Sequence, residues 1–224
     1  MSRTKIFLLF GATGNLGKAS AAYFLKQNYD YYYIFARTEI EFPVKKKCYS
    51  IITVGDLTIE ENVISAFAKV DQKKDADYYL FSTVGAFIGG KPISKTDYSD
   101  LKKMMNINLY SSFLIAKHFA KLVEQTGSGS ICFTSALSSF KPEANKAVYN
   151  ISKNALNLLV ESLAIEGEEI HLRANAIAPF AIDTESNREW LDDFSKLVSP
   201  EEICKVVQSL LADNLATGQI IKLP

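Results

Sequence analysis

The sequence predicts an α/β fold in which a doubly wound, mostly parallel sheet of seven strands is flanked by helices. Short apolar runs alternate along the chain with longer amphipathic stretches, a pattern typical of βαβ units. A glycine-rich loop joins the first apolar run to the first amphipathic stretch. The length of 224 residues suits one large α/β domain, so residues 1–224 are expected to form a single domain.

The strands are predicted from apolar runs of five to seven residues. The first contains the continuous apolar segment 6–10, which is typical of a strand buried on both faces of a parallel sheet. In chain order the predicted strands are Lys5–Phe10, Tyr31–Ala36, Tyr49–Val54, Asp77–Thr83, Ser130–Thr134, Leu172–Ile177 and Gln219–Leu223.

The amphipathic stretches between the strands predict five helices. The first presents Phe24 and Leu25 for packing, and the second begins with acidic residues that suit the positive end of a helix dipole. The last follows Ser199, a good N-cap, and has Pro200 at its first position. In chain order the predicted helices are Gly17–Gln27, Glu60–Val70, Asp97–Glu124, Lys146–Glu166 and Pro200–Leu211.

Composition and charge exclude several classes of partner. The 25 basic and 25 acidic residues cancel, so we expect no binding to nucleic acid or to an anionic membrane. Three widely spaced cysteines and two histidines predict neither a disulfide framework nor a metal site, and they favour a reducing, cytoplasmic location. The apolar run at the N-terminus is too short for a signal sequence, and no segment reaches membrane-spanning length.

The loop Gly-Ala-Thr-Gly-Asn-Leu-Gly lies between the first predicted strand and the first predicted helix. Glycines at this position let backbone N–H groups approach a pyrophosphate at the helix N-terminus. The loop therefore predicts a Rossmann-type domain that binds NAD(P), although a tight turn without a ligand is the simpler interpretation. The candidate cofactor-binding residues of the loop are Gly11, Thr13, Gly14, Asn15, Leu16 and Gly17.

The residues after the next two strands bear on the choice of cofactor. An acidic residue at the tip of the second strand would bind the ribose hydroxyls of NAD, but this chain has Arg37 and Thr38 there. Arg37 offers a partner for a 2′-phosphate, which favours NADP(H) over NAD(H), although Glu39 reduces the local positive charge. Asp56 and Leu57 close the third strand and suit either an adenine contact or a turn that leads into a helix.

Tyr149 and Lys153 carry the predicted chemistry. Four residues apart on a helix, the phenol and the ammonium share one face. Beside a nicotinamide they could transfer a proton to or from a carbonyl or alcohol while a hydride moves. A second Tyr-x-x-x-Lys occurs at Tyr98 and Lys102, so the spacing alone does not identify the site.

Taken in order, these elements resemble the short-chain dehydrogenase/reductase family from Lys5 to about Leu223. The resemblance implies catalytic roles for Tyr149, Lys153 and Asn108, and a close approach of Gly85 to the cofactor. It also implies that Tyr149 and Lys153 contact the cofactor, with Lys153 holding the ribose hydroxyls. The segment Arg173–Pro179 is similar to the family's Arg-x-Asn-x-Ile-x-Pro-Gly, with Phe180 in place of the glycine. It implies that three residues after this strand lie at the nicotinamide: Pro179, Ile182 and Thr184.

The chain departs from the family at three further places. Asn15 stands where many members have the middle glycine of the loop, and Ser82 and Thr83 stand where the family has two asparagines. The family's catalytic serine usually lies thirteen residues before the tyrosine, and that position is Ala136. Ser135 is the favoured candidate for this role and Ser138 is the alternative.

The expected function is an NADP(H)-dependent oxidoreductase that interconverts a carbonyl and an alcohol, with Tyr149 as acid and base. The alternatives are a cofactor-binding regulatory protein with little or no catalysis, and a nucleotide-sugar epimerase or dehydratase. A short substrate lid is expected near 185–198, with Trp190 and Leu191 as apolar contacts. The resemblance also implies a homodimer or homotetramer formed through the two long helices. Exposed Met104, Phe113 and Leu158 would fit such an assembly, although packing of these residues on the sheet is an equally good interpretation. No residue identifies the small-molecule substrate.

Overall fold

The structure is a computed structural model that describes residues 3–42, 48–189, 191 and 193–224. Seven parallel strands form one sheet in the order β3-β2-β1-β4-β5-β6-β9. Their bounds are β1 Thr4–Phe10, β2 Tyr31–Ala36, β3 Tyr49–Thr53, β4 Ala76–Ser82, β5 Gly127–Thr134, β6 Leu172–Pro179 and β9 Ile220–Leu223. The predicted fold class is confirmed, and each predicted strand is present.

Helices cover both faces of the sheet. They are α1 Asn15–Phe24, α2 Glu60–Phe67, α3 Tyr98–Met105, α4 Ser111–Thr126, α5 Ala147–Glu166, α6 Glu185–Arg188 and α7 Pro200–Ala212. α7 begins as predicted, because the Ser199 hydroxyl accepts from the Glu202 amide at 3.2 Å while the Glu202 carboxylate accepts from the Ser199 amide at 3.1 Å. The short strands β7 Ala181–Ile182 and β8 Leu197–Val198 pair separately; two-residue strands leave no periodic signal in a sequence.

The predicted continuous helix Asp97–Glu124 is wrong in one respect. A π-helical turn, Asn106–Tyr110, separates α3 from α4 and contains the fully buried Asn108. The side chain of Asn108 bonds the backbone of Ala86 instead of facing solvent, and the extra residue in the turn directs it there. Apolar periodicity cannot reveal a turn that is set by a partner 22 residues away.

The core lies on both faces of the sheet, as expected for parallel strands. One cluster packs strand side chains against α2, α4 and α5, and it includes Phe10 and Phe35, whose rings stack at 4.0 Å. The other cluster packs strand side chains against α1 and α7, with Phe7 and Phe24 stacked at 4.3 Å. Met104, expected at the surface, is fully buried because α3 turns it towards Asn108.

The order of connections reverses at β1, whose neighbours are β2 and β4. In doubly wound sheets this point leaves a crevice at the carboxyl ends of the strands, where ligands bind. Among the residues described, no helix has the length and apolarity needed to cross a membrane, and no cluster of potential metal ligands is present. Cys48, Cys132 and Cys204 are all free thiols.

Candidate active site

The glycine loop lies at the crevice, between β1 and α1. Gly11 has a positive φ of 87°, and a Cβ at Gly17 would collide with the carbonyl oxygen of Gly11, so both positions require glycine. Within the described chain, no side chain caps the N-terminus of α1. Its first amides are therefore free to receive an anion.

A cavity of about 670 Å³ opens beside this loop and contains much of the predicted cofactor site. The predicted residues that line it are Gly11, Thr13, Gly14, Arg37, Asp56, Leu57 and Gly85. Leu16 lines the neighbouring cavity of Tyr149, and Asn15 lines a third cavity, together with Thr184. Thr38 is exposed and lines none of these three cavities.

Helix α3 and the π-helical turn add residues to the cofactor cavity that the sequence did not indicate: Ser99, Lys102, Lys103, Asn106 and Ile107. Lys102 belongs to the second Tyr-x-x-x-Lys, yet its partner Tyr98 is 69% exposed and lies outside the cavity. The Lys102 ammonium is 4.6 Å from the centre of the Tyr98 ring, which makes this pair a surface cation–π contact.

Asp56 forms the turn that leads into α2. Its Oδ1 accepts from the Thr58 amide at 2.9 Å and from the Thr58 hydroxyl at 2.8 Å. Of the two interpretations of Asp56 from the sequence, the structure contains the turn that leads into a helix. Asp56 still lines the cofactor cavity, as does Thr58, so the second carboxylate oxygen is available to a ligand.

A second cavity, of about 270 Å³, continues from the first through the shared segment 83–86. It unites residues from four distant parts of the chain. The predicted residues that line it are Leu16, Gly85, Ser135, Ser138, Tyr149, Lys153, Pro179 and Ile182. The ring of Phe87 lies edge-on to Tyr149 at 4.9 Å, and Phe180 also lines this cavity.

Hydroxyl groups tie the strand ends together where the family has asparagines. The Thr83 hydroxyl is within bonding distance of two carbonyl oxygens, those of Phe10 at 3.0 Å and Gly11 at 3.1 Å. The Thr134 hydroxyl donates to the Ser82 carbonyl at 3.0 Å. These bonds join β1, β4 and β5 at the crevice, so the strand ends are held together although this chain lacks the family's two asparagine side chains.

Asn108 fixes the segment that separates the two cavities. Its Oδ1 accepts from the Ala86 amide at 2.8 Å, and its Nδ2 donates to the Ala86 carbonyl at 3.0 Å and to the Ser152 hydroxyl at 2.9 Å. Gly85 then lies so close that an added Cβ would be 2.9 Å from Lys153 Nζ. Gly85 therefore lies next to Lys153 and also lines the cofactor cavity, while its close approach to the cofactor stays a prediction.

Burial dominates the electrostatics of Tyr149 and Lys153. It lowers the pKa of Lys153 to about 8 and raises the pKa of Tyr149 to about 12, because a desolvated side chain resists charge. The Lys153 ammonium donates to the Thr134 carbonyl at 2.7 Å and lies 6.0 Å from the centre of the Tyr149 ring. In the protein alone, desolvation therefore decides the pKa of Tyr149, and Lys153 does not offset it.

The serines after β5 have different surroundings. The Ser135 hydroxyl donates to Asn157 Oδ1 at 2.5 Å, inside the contact between β5 and α5. Ser138 lines the tyrosine cavity, and its hydroxyl has no hydrogen-bond partner among the described residues. Asn157 was not indicated by the sequence, because nothing local distinguishes it from a surface residue of a helix.

The lid segment is closed at its base by the pair β7–β8, in which Ala181 faces Leu197 and Ile182 faces Val198. Within it, the Arg188 guanidinium donates twice to the Asp183 carboxylate, at 2.6 and 2.8 Å. Asn187 reaches the tyrosine cavity. Leu191 is half-buried, whereas Trp190, the other predicted apolar contact, lies outside the described residues.

Known proteins resemble this chain in sequence and fold. Residues 11–222 match the family model described as enoyl-(acyl carrier protein) reductase. Dehydrogenase/reductase SDR family member 6 of Danio rerio is 32% identical over 190 residues, which cover 83% of this chain and 74% of that protein. A chloroplastic tropinone reductase homologue of Arabidopsis thaliana is 29% identical over 186 residues, 77% of this chain and 57% of that protein.

Three plant relatives are considerably longer, and the matched region spans only 51–59% of their length. Among solved structures, ElxO with NADP bound aligns with a TM-score of 0.84 at 22% identity, over 98% of this chain and 97% of that one. A short-chain type dehydrogenase/reductase from Mycobacterium ulcerans aligns with a TM-score of 0.87 at 18% identity, over 100% and 90% of the two chains. At these identities the structures establish the fold.

We predict that Lys153→Met stabilises the cofactor-free protein at pH 7. The folded pKa of about 8 is below the unfolded value of about 10.5, so charging this buried lysine opposes folding below pH 8. The penalty disappears as the pH rises from 8 through 10.5. After allowance for the lost bond to Thr134, the gain at pH 7 should be about 2 kcal/mol.

Chemical denaturation at pH 7 and pH 9.5 measures this gain, which should shrink at the higher pH. Lys121→Met, which removes an exposed lysine from α4, is the matched control and should show no pH-dependent gain. An equal change at both pH values in Lys153→Met would show that the buried charge is not the cause.

Proposed function

The chain belongs to the short-chain dehydrogenase/reductase family, and we propose that it is an NADP(H)-dependent oxidoreductase that interconverts a carbonyl and an alcohol. The observation that carries the proposal is that Tyr149 and Lys153 line a cavity continuous with the larger cavity beside the glycine loop. A dinucleotide that extends along both would bring its nicotinamide end to the tyrosine. No other tyrosine–lysine pair of the described chain meets this condition.

The chemistry of the site fits the cofactor. Gly11 and Gly17 leave the space that a diphosphate needs, and the uncapped amides of α1 supply donors for it. Pro179 and Ile182 would hold the nicotinamide face, and Thr184 lies next to them in the chain. When bound, the cofactor supplies or accepts the hydride, and the protein has to place and protonate the substrate oxygen.

Tyr149 performs the proton transfer in this proposal. With a pKa of about 12 it is protonated at neutral pH, which suits the donor role in carbonyl reduction. In the reverse direction it must lose its proton, and the positive charge of Lys153 then favours the tyrosinate. The Thr134 carbonyl accepts one of the three lysine N–H groups, which leaves two for the ribose hydroxyls.

Asn108 and Gly85 position the lysine. Asn108 holds the backbone at Ala86 with two bonds, and the absence of a side chain at Gly85 makes room for Lys153 Nζ. A shift of this segment would alter the direction of the ammonium towards the ribose. Asn108 thus acts on catalysis through the geometry of Lys153.

The walls of the tyrosine cavity favour a small carbonyl compound with an apolar body. Phe87 and Phe180 face the cavity with Ile182, while Asn187 and the ion pair of Glu143 and Lys146 lie at its edge. Aromatic walls contribute dispersion and edge-to-face contacts to a flat, uncharged group. Once the nicotinamide is in place, little of the 270 Å³ remains for the substrate.

Neither alternative function is favoured by the site. A protein without catalysis would have no use for a buried lysine next to a half-buried tyrosine, because charging Lys153 opposes folding. An epimerase or dehydratase that acts on a nucleotide sugar needs room for a second nucleotide, and the tyrosine cavity is too small for one. The free cysteines suit the reducing cytoplasm proposed as the location.

We predict that Tyr149→Phe lowers kcat for reduction of aldehydes and ketones by about 10²–10⁴-fold, because the proton donor is lost. The affinity for NADPH should change much less than kcat, since Tyr149→Phe retains the ring that packs against Phe87. NADPH absorbance with a panel of carbonyl compounds measures turnover, and fluorescence titration measures binding. NADPH binding without turnover of any compound by the unsubstituted protein would refute the enzyme function.

We predict that Arg37→Ala weakens NADPH binding by about 10–100-fold and changes NADH binding by less than about threefold. Arg37 lines the cofactor cavity and is exposed, so it can meet a 2′-phosphate that NADH lacks. Lys69→Ala, which removes an exposed charge outside both cavities, is the control. Equal weakening of the two cofactors by Arg37→Ala would overturn the preference for NADP(H).

The protein is proposed to form a homodimer, or a homotetramer built from such dimers, through α4 and α5. Ile151, Leu158 and Ile165 recur every seven residues on α5 and are 48%, 63% and 73% exposed, and Phe113 on α4 is 50% exposed. An exposed apolar stripe of this kind suits a self-complementary contact between two copies.

We predict that Leu158→Asp dissociates the assembly, because it places a charge in the centre of this stripe. Light scattering after gel filtration measures the mass of the particle. Leu215→Asp is the matched control, since Leu215 is 91% exposed and lies outside the stripe. A monomeric unsubstituted protein, or dissociation by both substitutions, would contradict the proposed interface.

A further inference from the structure

We infer that Ser138 supplies the hydroxyl that orients the substrate carbonyl, and that Ser135 and Asn157 hold the turn that presents it. The inference rests on the proposed function and assigns the one catalytic group that the family pattern leaves undetermined. The position thirteen residues before Tyr149 holds Ala136, whose methyl group cannot donate a hydrogen bond.

The proton of Ser135 is already committed. A serine hydroxyl has a single proton, and orienting a carbonyl oxygen requires that proton. Ser135 gives it to Asn157 Oδ1 at 2.5 Å, where the two residues are 2% and 3% exposed. Turning the hydroxyl to a substrate would leave a buried amide oxygen unpaired, at a cost of about 1–3 kcal/mol.

The orientation of the Asn157 amide follows from its other partner. The Ser139 hydroxyl donates to the Ala136 carbonyl at 2.7 Å, so towards Asn157 it acts as an acceptor. The atom of Asn157 that meets it at 2.8 Å is therefore the amide nitrogen. The oxygen then faces Ser135, which donates to it. Exchanging the two amide atoms would require the Ser139 hydroxyl to leave the Ala136 carbonyl and the Ser135 hydroxyl to turn to the Lys153 carbonyl, at the longer distance of 3.5 Å.

These bonds clamp both ends of the 3₁₀ turn Leu137–Ser139 against α5. Ser135 is held before the turn, and Ser139 is held at its end by Asn157 and by Asn154, whose Nδ2 donates to the Ser139 carbonyl at 3.2 Å. Ser138 lies between the two anchors. The clamp fixes the backbone of Ser138 while leaving its side chain unbonded.

Ser138 has the properties that the role requires. It lines the same cavity as Tyr149 and is 8% exposed, so its hydroxyl is shielded from bulk water but open to a ligand. Among the described residues nothing accepts its proton or donates to it. A donor of this kind is free to bond the carbonyl oxygen that receives the proton of Tyr149.

The test compares substitutions of the two serines by steady-state kinetics on the aldehyde or ketone that the unsubstituted enzyme reduces best. Ser138→Ala should lower kcat by about 10²–10³-fold, with the melting temperature and the NADPH dissociation constant unchanged, because its hydroxyl bonds nothing in the protein. Ser135→Ala should lower the melting temperature, since it leaves Asn157 Oδ1 unpaired, and its loss in kcat should be smaller.

Two further variants test whether a hydroxyl at this place is what matters. Ser138→Thr retains the hydroxyl and should keep kcat within about tenfold. Adding Ala136→Ser to Ser138→Ala places a serine at the family's usual position and should recover at least about tenfold in kcat.

A third variant tests the clamp. Asn157→Asp keeps the acceptor for Ser135 but loses the donor to Ser139, and it should lower kcat more than it raises KM if the clamp positions Ser138.

The outcomes separate this inference from the proposed function. Activity that survives in Ser138→Ala but falls by 100-fold or more in Ser135→Ala would overturn the inference and leave the oxidoreductase function intact. An unsubstituted protein that reduces none of the carbonyl compounds overturns both. Loss of activity in Ser138→Ala together with a lower melting temperature would show that Ser138 has a structural role, and it would also overturn the inference.

Discussion

The paired hydrogen bonds between the Asn108 side chain and the backbone of Ala86 are the constraint on which the rest of the site depends. The chain has left the sheet at Ala86, after the end of β4, and the Asn108 side chain satisfies the amide and the carbonyl of this residue. Asn108 lies in the π-helical turn between α3 and α4, and this turn places its side chain where it can form both bonds. Gly85 is thereby pressed against Lys153, and the lysine is directed to the junction of the two cavities. The buried side-chain amide of Asn108 thus connects the segment after the carboxyl end of β4, the long helices and the site.

The same burial has opposite consequences for the two reactive groups. It makes Lys153 less basic and Tyr149 less acidic, so each is pushed towards its neutral form in the protein alone. The ordinary order of the two pKa values, in which lysine lies slightly above tyrosine, is therefore reversed, and the interval between them is wider. A positive charge brought into this cavity by a ligand therefore acts on a tyrosine that has little water to screen it, and its effect is correspondingly large.

Local signals in the sequence were sufficient for the sheet and the glycine loop. Each depends on residues within one element and its immediate flanks, such as the apolar run that forms β1 or the Ser199–Glu202 cap of α7. The π-helical turn, the face that α3 presents to the cofactor cavity and the role of Asn157 were not predictable. Each depends on a partner that is distant in sequence: Asn157, for instance, meets Ser135 from 22 residues away. Thr83 and Thr134 show a related limit, because different side chains can tie the same strand ends.

The two-residue pair β7–β8 has a consequence beyond the present chain. The pair joins the segment before the lid to the end of the lid, so the residues between the two strands form a loop whose ends are held together. The two strands pair with each other and not with the main sheet. Closing a loop costs entropy that grows only slowly with its length. Lids of other lengths and compositions can therefore be inserted at this neck with little effect on the strands beneath. The neck is therefore a point at which the lid can be exchanged by engineering, provided that Ile182, which lines the tyrosine cavity from β7, is kept.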